Sequence, residues 1–119
     1  MNIVDSQVHI WGPDTPQRPW PPGRAKEAQK PYPISKETLL FQMDLAGVRR
    51  MVLVPPSWEG ERNDLALEAA RAYPDRFAVM GRLSLQKPES RALVADWTKQ
   101  PGMLGMRFTF HNAHNRPFL

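Results

Sequence analysis

Three polar side chains stand at alternate positions near the start of the chain: Asp5, Gln7 and His9, in the stretch IVDSQVHIW. Residues two apart on a strand project from one face, so the three are expected to converge at the strand's C-terminal end. An imidazole there can serve as a general base or electrostatic donor. The Gln7 amide can both donate to and accept from a carboxylate, lactone or amide. Asp5 reads as an orienting or structural hydrogen-bond acceptor. Gln7 also bears on metal chemistry. Two imidazoles at this spacing would supply half of a zinc shell, whereas an amide oxygen is a weak ligand and one histidine cannot anchor the ion. The expectation is no cofactor, with a divalent metal such as zinc disfavoured by Gln7.

Other candidates lie further along. In GMLGMRFTF, alternation puts Leu104, Met106, Phe108 and Phe110 on a face toward helices, and Gly105, Arg107 and Thr109 on the opposite face. An inward arginine needs an anionic partner, which is either an internal acid or a substrate carboxylate gripped in bidentate fashion. Arg82 in MGRLS poses the same question one strand earlier. Ser57 and Trp58 follow the second strand, where a loop offers a hydroxyl and a ring. No G-x-S-x-G elbow surrounds Ser57, so a serine nucleophile is not read there. His111 continues the phase of Arg107 and Thr109 as a rim residue, and with His114 makes only a weak metal pair. Trp11, Trp20 and Tyr32 wall a pocket or anchor their loop.

The elements that must position these groups alternate along the chain. Apolar runs predict strands near 2–9, 49–54, 76–84 and 102–110. Helical patterns fill the gaps. One begins at Ser35 as N-cap, carries Leu39, Leu40, Met43 and Ala46, and stops at Gly47. A second carries Leu65, Ala69 and Tyr73 before Pro74, and a third sets Leu93 against Trp97 before Pro101-Gly102. The order β-α-β-α-β-α-β implies an α/β fold with four parallel strands and crossover helices. Residues 11–34 hold seven prolines and break the rhythm; they are expected to form a loop over the first strand's end, with a short helix in GRAKEAQK. Two architectures fit: a complete open doubly wound sheet, or half of a (β/α)8 barrel, which runs to roughly 250 residues.

Composition narrows the classes. The net charge of +4 comes without a clustered basic run, so no nucleic-acid partner is expected. Neither phosphate-binding glycine motif occurs. The absence of cysteine fits a reducing cytoplasm and excludes thiolate metal sites. No secretory leader is read, and no apolar run approaches the ~18 residues needed to span a membrane, so no membrane partner is expected.

IVDSQVHIW followed by a proline-rich loop, together with RRMVLVPPSW and PGMLGMRFTFHN, resembles the first, second and fourth strands of the amidohydrolase-related (amidohydrolase-2) family. That family comprises metal-dependent hydrolases and decarboxylases on a (β/α)8 barrel, with metal-free relatives similar to 2-pyrone-4,6-dicarboxylate lactonase. The resemblance covers the chain as the N-terminal half of a member. It departs from the Asp-x-His-x-His pattern of metal-binding members, because Gln7 replaces the first histidine. What the resemblance implies is a hydrolase of a carboxylate-bearing small molecule, such as a lactone or other cyclic ester or amide; the cytoplasmic expectation rests on the lack of cysteine. Gln7 and Arg107 would orient the substrate, His9 would polarise the carbonyl or relay a proton, and water would attack. The alternatives are a metal-dependent decarboxylase or amidohydrolase of the same superfamily, and a non-catalytic α/β binding module. The polar ends of the first and fourth strands are expected to open into one cavity. With half a barrel the chain is expected to be inactive alone, and to self-associate through open sheet edges.

Overall fold

The computed structural model describes residues 1–119. Strands β1 (Ile3–Val8), β2 (Val48–Leu53), β3 (Phe77–Gly81) and β4 (Met103–Met106) form one parallel sheet in the order β1-β2-β3-β4. Helices α1 (Lys36–Ala46), α2 (Asp64–Ala72) and α3 (Ser90–Val94) make the three crossovers. The fold is α/β, with each strand followed in space by its sequence neighbour. The last two strands are shorter than the apolar runs that mark them, because residues 82–84 and 107–110 leave the ladder to build loops.

Local chemistry explains the helix ends. Ser35 accepts the Thr38 amide at its hydroxyl at 3.2 Å, and Gly47 closes α1 at a φ of +69° that a side chain would resist. Helix α2 stops before Pro74. Helix α3 is barely more than a turn, and a 3-10 turn at Trp97–Lys99 completes its crossover. The Leu93–Trp97 pairing expected from helical spacing is not formed. Trp97 leaves the helical frame to enter the core and donates its indole N–H to the Gly105 carbonyl at 2.8 Å, while Leu93 stays exposed.

The core lies between the sheet and its helices. Met51, Leu53, Phe77, Val79 and Met103 meet Leu39 and Met43 of α1, and Ala66, Leu67, Ala69 and Ala70 of α2. Small residues on α2 let it sit close to the sheet. On the opposite face Val52, Ala78 and Met80 are only half-covered.

Two of the three register slips in the sheet change what alternation leads one to expect. In β4, Met103 pairs with Val79 but Gly105 with Met80, so Leu104 is an extra residue in the ladder. Paired residues share a face. Met103 therefore points to the helices, Leu104 lies exposed at the bulge, and Gly105 joins Met80 on the open face. Met106 then returns to the helix side, where it packs on the core. The expectation fails for Leu104 and holds for Gly105 and Met106. In β1, Asp5 pairs with Met51 and Val8 with Leu53, three residues against two. The alternation of Asp5, Gln7 and His9 is broken by that slip, and the three do not share a face.

Candidate functional site

A cleft of about 620 Å³ opens at the C-terminal ends of β2, β3 and β4, roofed on one side by the proline-rich segment. Five cationic side chains line it, Arg24, Arg62, Arg82, Lys87 and Arg107, against two carboxylates, Glu59 and Glu61. Three of the cations have an acid nearby: Arg24 with Glu27 at 2.7 Å, Arg62 with Asp64 at 4.0 Å, and Lys87 with Glu61 at 3.7 Å. Arg82 and Arg107 have no carboxylate within 4 Å.

Arg82 is held at both its backbone and its side chain. Its Nε donates to the Pro55 carbonyl, just past β2. Its backbone is clamped by Asn63, whose amide makes one bond to the Arg82 N–H and one to the Arg82 carbonyl. The preceding residue must be glycine: a Cβ at Gly81 would meet Met103 Cε at 2.7 Å, Trp97 Cζ2 at 2.8 Å and Asn63 Oδ1 at 2.9 Å. Burial, and then the neighbouring charges of Arg107 and Arg24, push the Arg82 pKa below that of an ordinary arginine. The guanidinium nevertheless stays protonated, as arginine does in proteins. The result is a half-buried cation beside a like charge, a condition that an anion in the cleft would relieve.

Arg107 reaches the same cleft because of the Leu104 bulge. Its amide donates to the Gly81 carbonyl at 2.8 Å, and Nη1 donates to Thr109 Oγ1 at 3.0 Å. Ser57, first residue of a 3-10 turn after β2, joins the lining, and so does His114 from the C-terminal segment. Trp20 lines the wall contributed by the proline-rich segment, and its indole N–H is buried without an acceptor.

That segment is fastened down. Trp11 is buried and donates its amide to the Ile34 carbonyl at 3.0 Å, so the two ends of the segment meet. Arg18 bonds both the almost fully buried Glu59 and Asp64, and the Gly12 amide donates to Glu59 Oε2 at 3.1 Å. Burial disfavours the charge on Arg18, but its bonds to Asp64 and Glu59 outweigh that and raise its pKa above that of free arginine. The short helix expected in GRAKEAQK is a single 3-10 turn at Ala25–Glu27.

The candidates from β1 stand elsewhere. Gln7 is exposed, and its backbone amide donates to the Asp5 carboxylate at 3.1 Å. His9 is half-buried, with Nδ1 2.6 Å from the Val54 carbonyl and its ring edge-on to Trp58. A carbonyl only accepts, so Nδ1 carries the proton, and Nε2 makes no hydrogen bond within the chain. Neither residue lines the cleft that holds Arg107, Arg82 and Ser57. The shared cavity expected between the first and fourth strands is not formed by this chain. β1 and β4 are opposite edges of the sheet, separated by three strand spacings, or roughly 14 Å. His111 is exposed and outside the lining. No three His, Asp or Glu side chains come together to hold a metal ion, so the residues present do not fit one. Sequence reading overlooked Arg24, Arg62, Lys87 and the buried Glu59; for Glu59 and Arg62 the signal was available in SWEGER, a charged run placed directly after a strand.

No family model matches the chain, and no curated protein does. Solved structures do. A probable 2-pyrone-4,6-dicarboxylic acid hydrolase from Acinetobacter baumannii, with citric acid bound, superposes with a TM-score of 0.69 at 24% identity over 100% of this chain and 45% of its own. A 2,6-dihydroxybenzoate decarboxylase from Rhizobium gives 0.63 at 24% identity, covering 98% of this chain and 45% of its own. A 5-carboxyvanillate decarboxylase from Novosphingobium aromaticivorans, complexed with manganese, gives 0.63 at 17%, covering 98% and 46%. The chain thus spans less than half the length of these structures. Its fold is half of a (β/α)8 barrel, and the cleft lies at the C-terminal end of the strands, where such barrels carry their sites. No helix is long and apolar enough to cross a membrane.

Proposed function

We propose that the chain is the substrate-gripping half of a hydrolase that acts on a carboxylate-bearing small molecule, such as a lactone or another cyclic ester or amide. The observation that carries this reading is the pair Arg82 and Arg107, two fixed guanidiniums on one cleft with no carboxylate of their own. A substrate carboxylate supplies the missing charge and matches the planar fork of either arginine. Ser57 and Thr109 add hydroxyl contacts at the same wall. His9 and Gln7 lie outside the cleft, so in this reading they meet the substrate only where the completed barrel extends the cleft to β1. Water is the nucleophile, and the groups that activate it belong to the strands that complete the barrel. The protein works in a reducing cytoplasm, which the lack of cysteine fits.

A decarboxylase is the second reading, supported by the two decarboxylases among the similar structures. The two differ in what happens to the gripped carboxylate, which a lactonase retains and a decarboxylase releases as carbon dioxide. Calorimetric titration of this chain with citrate tests the shared element. Binding that weakens at least tenfold in both Arg82→Met and Arg107→Met supports the anion-gripping cleft, and binding unchanged in both removes it. Turnover by the chain alone is expected to be absent.

A further inference from the structure

We infer that Arg24 is a third contact for the anion held in the cleft, and that binding through Arg24 ties the stretch from Pro22 to Pro33 to the end of the sheet. The inference rests on the anion-gripping reading of Arg82 and Arg107, and adds to it a residue from a different part of the chain.

Arg24 is poorly satisfied by its own surroundings. Its acid is Glu27, three residues on at the end of the same 3-10 turn. Nε is buried, yet it makes no hydrogen bond: Glu27 Oε1 lies 2.7 Å away but off the line of the N–H. The side chain meanwhile reaches the lining of the cleft, close enough to Arg82 for its charge to disfavour the Arg82 cation. Three guanidiniums, Arg24, Arg82 and Arg107, thus share one hollow, and Arg24 is the one that arrives from the proline-rich side.

The backbone that carries Arg24 is the least attached part of its segment. The segment is fixed at Ile34 by Trp11 and at Arg18 by Glu59 and Asp64. Between Pro22 and Pro33 the backbone bonds are all short-range: Arg24 N–H to Pro21, Glu27 N–H to Arg24, and Ala28 N–H to Ala25. Most of this stretch is exposed, and its ion pair is internal. Such a stretch is held by its own turns and opens readily. Arg24 is the residue of it that lines the cleft.

An anion in the cleft changes both conditions together. It accepts from the forks of Arg82, Arg107 and Arg24, relieves the repulsion among them, and gives the loose stretch an attachment to the ends of β3 and β4. Glu27 competes for the same guanidinium, so it is the resting partner that the ligand displaces.

Citrate titration of four chains tests this: the parent, Arg24→Met, Glu27→Gln and the double variant. Arg24→Met should weaken citrate about fivefold or more. Glu27→Gln should tighten it about two- to threefold by freeing the fork, and should have no effect once Arg24 is methionine. Hydrogen exchange gives a second readout. Citrate should slow exchange at the Glu27 and Ala28 amides in the parent and not in Arg24→Met. Equal affinity in parent and Arg24→Met, with Arg82→Met still weakening citrate, overturns the inference and leaves the cleft reading standing. Tightening by Glu27→Gln that persists without Arg24 overturns it too, because net charge alone then explains the effect. A parent that does not bind citrate removes the cleft reading and this inference together. Should Arg24→Met fold poorly, Glu27→Gln and the exchange protection in the parent decide, and failure of either overturns the inference.

Discussion

Asn63 holds Arg82 by its backbone, donating from Nδ2 to the Arg82 carbonyl at 2.9 Å and accepting the Arg82 amide at Oδ1 at 2.7 Å. One amide side chain at the start of α2 thereby ties that helix to the end of β3 and sets where a cleft arginine begins. Asn63→Ala leaves both backbone groups without a partner in a half-buried place. A loss of about 1–3 kcal/mol is expected, read as a lower urea midpoint. Citrate affinity should fall as well, because Arg82 is no longer anchored. Unchanged affinity at lowered stability would show that the clamp serves only the fold.

Gly81 should not accept a methyl group. A Cβ there comes within 3 Å of Met103, Trp97 and Asn63 together, and only the methionine is flexible enough to yield. Gly81→Ala should cost about 1–3 kcal/mol through overpacking. Trp97 fluorescence would shift if the ring moves. A variant as stable as the parent would mean that the site relaxes more freely than its contacts allow.

Glu59 is buried against Arg18, so removing the arginine is more damaging than a surface ion pair would be. Arg18→Met strands a buried carboxylate, at a cost of about 3–5 kcal/mol. It also frees the segment from α2. Trypsin should then cut after Arg24 or Lys26 well before the rest of the chain, a difference visible in a time course by mass spectrometry. Equal rates in variant and parent would indicate that the Trp11–Ile34 contact alone fastens the segment.

Asp64 gives a pH signature. Its carboxyl is held below the ordinary range, first by hydrogen bonds from Arg18 and further by the Leu65 amide, with burial opposing. A lowered folded-state pKa adds stability that is complete above the unfolded value near ~3.9 and is lost as pH falls through the folded value. Asp64→Asn should therefore be less stable than the parent at neutral pH, and the two should converge in strong acid. The carboxylate is about half exposed, so the difference at neutral pH should stay below about 1 kcal/mol. Denaturant curves at stepped pH would show it, and a gap that persists in acid would assign the effect to packing.

Much of the architecture was legible in the residues. Apolar runs separated by capped helical patterns gave four strands, three crossovers and the parallel order, and Ser35 and Gly47 marked α1 at both ends. Arg107 was chosen by alternation along the fourth apolar run, Arg82 near the end of the third and Ser57 just after the second, and the fold brings all three to one cleft. The failures share one physical origin. Strict alternation assumes an unbroken ladder, and a register slip in β1 and another in β4 depend on the neighbouring strand rather than on the segment itself. Hence Asp5, Gln7 and His9 were assigned one face, and Leu104 was turned toward helices it does not meet. The cation cluster was missed for a related reason. Arg24 and Lys87 come from loops whose approach to Arg62 is set by tertiary packing, and no local pattern records it.

The additional residue at Leu104 has a consequence for how this strand tolerates change. Upstream of it, side-chain direction answers to the helices; downstream, it answers to the cleft, and the two phases are uncoupled. Deleting Leu104 would close the ladder with Met103 still beside Val79 and Gly105 beside Met80, so the Arg107 guanidinium would keep its place on the cleft and the loss of that single codon would be tolerated.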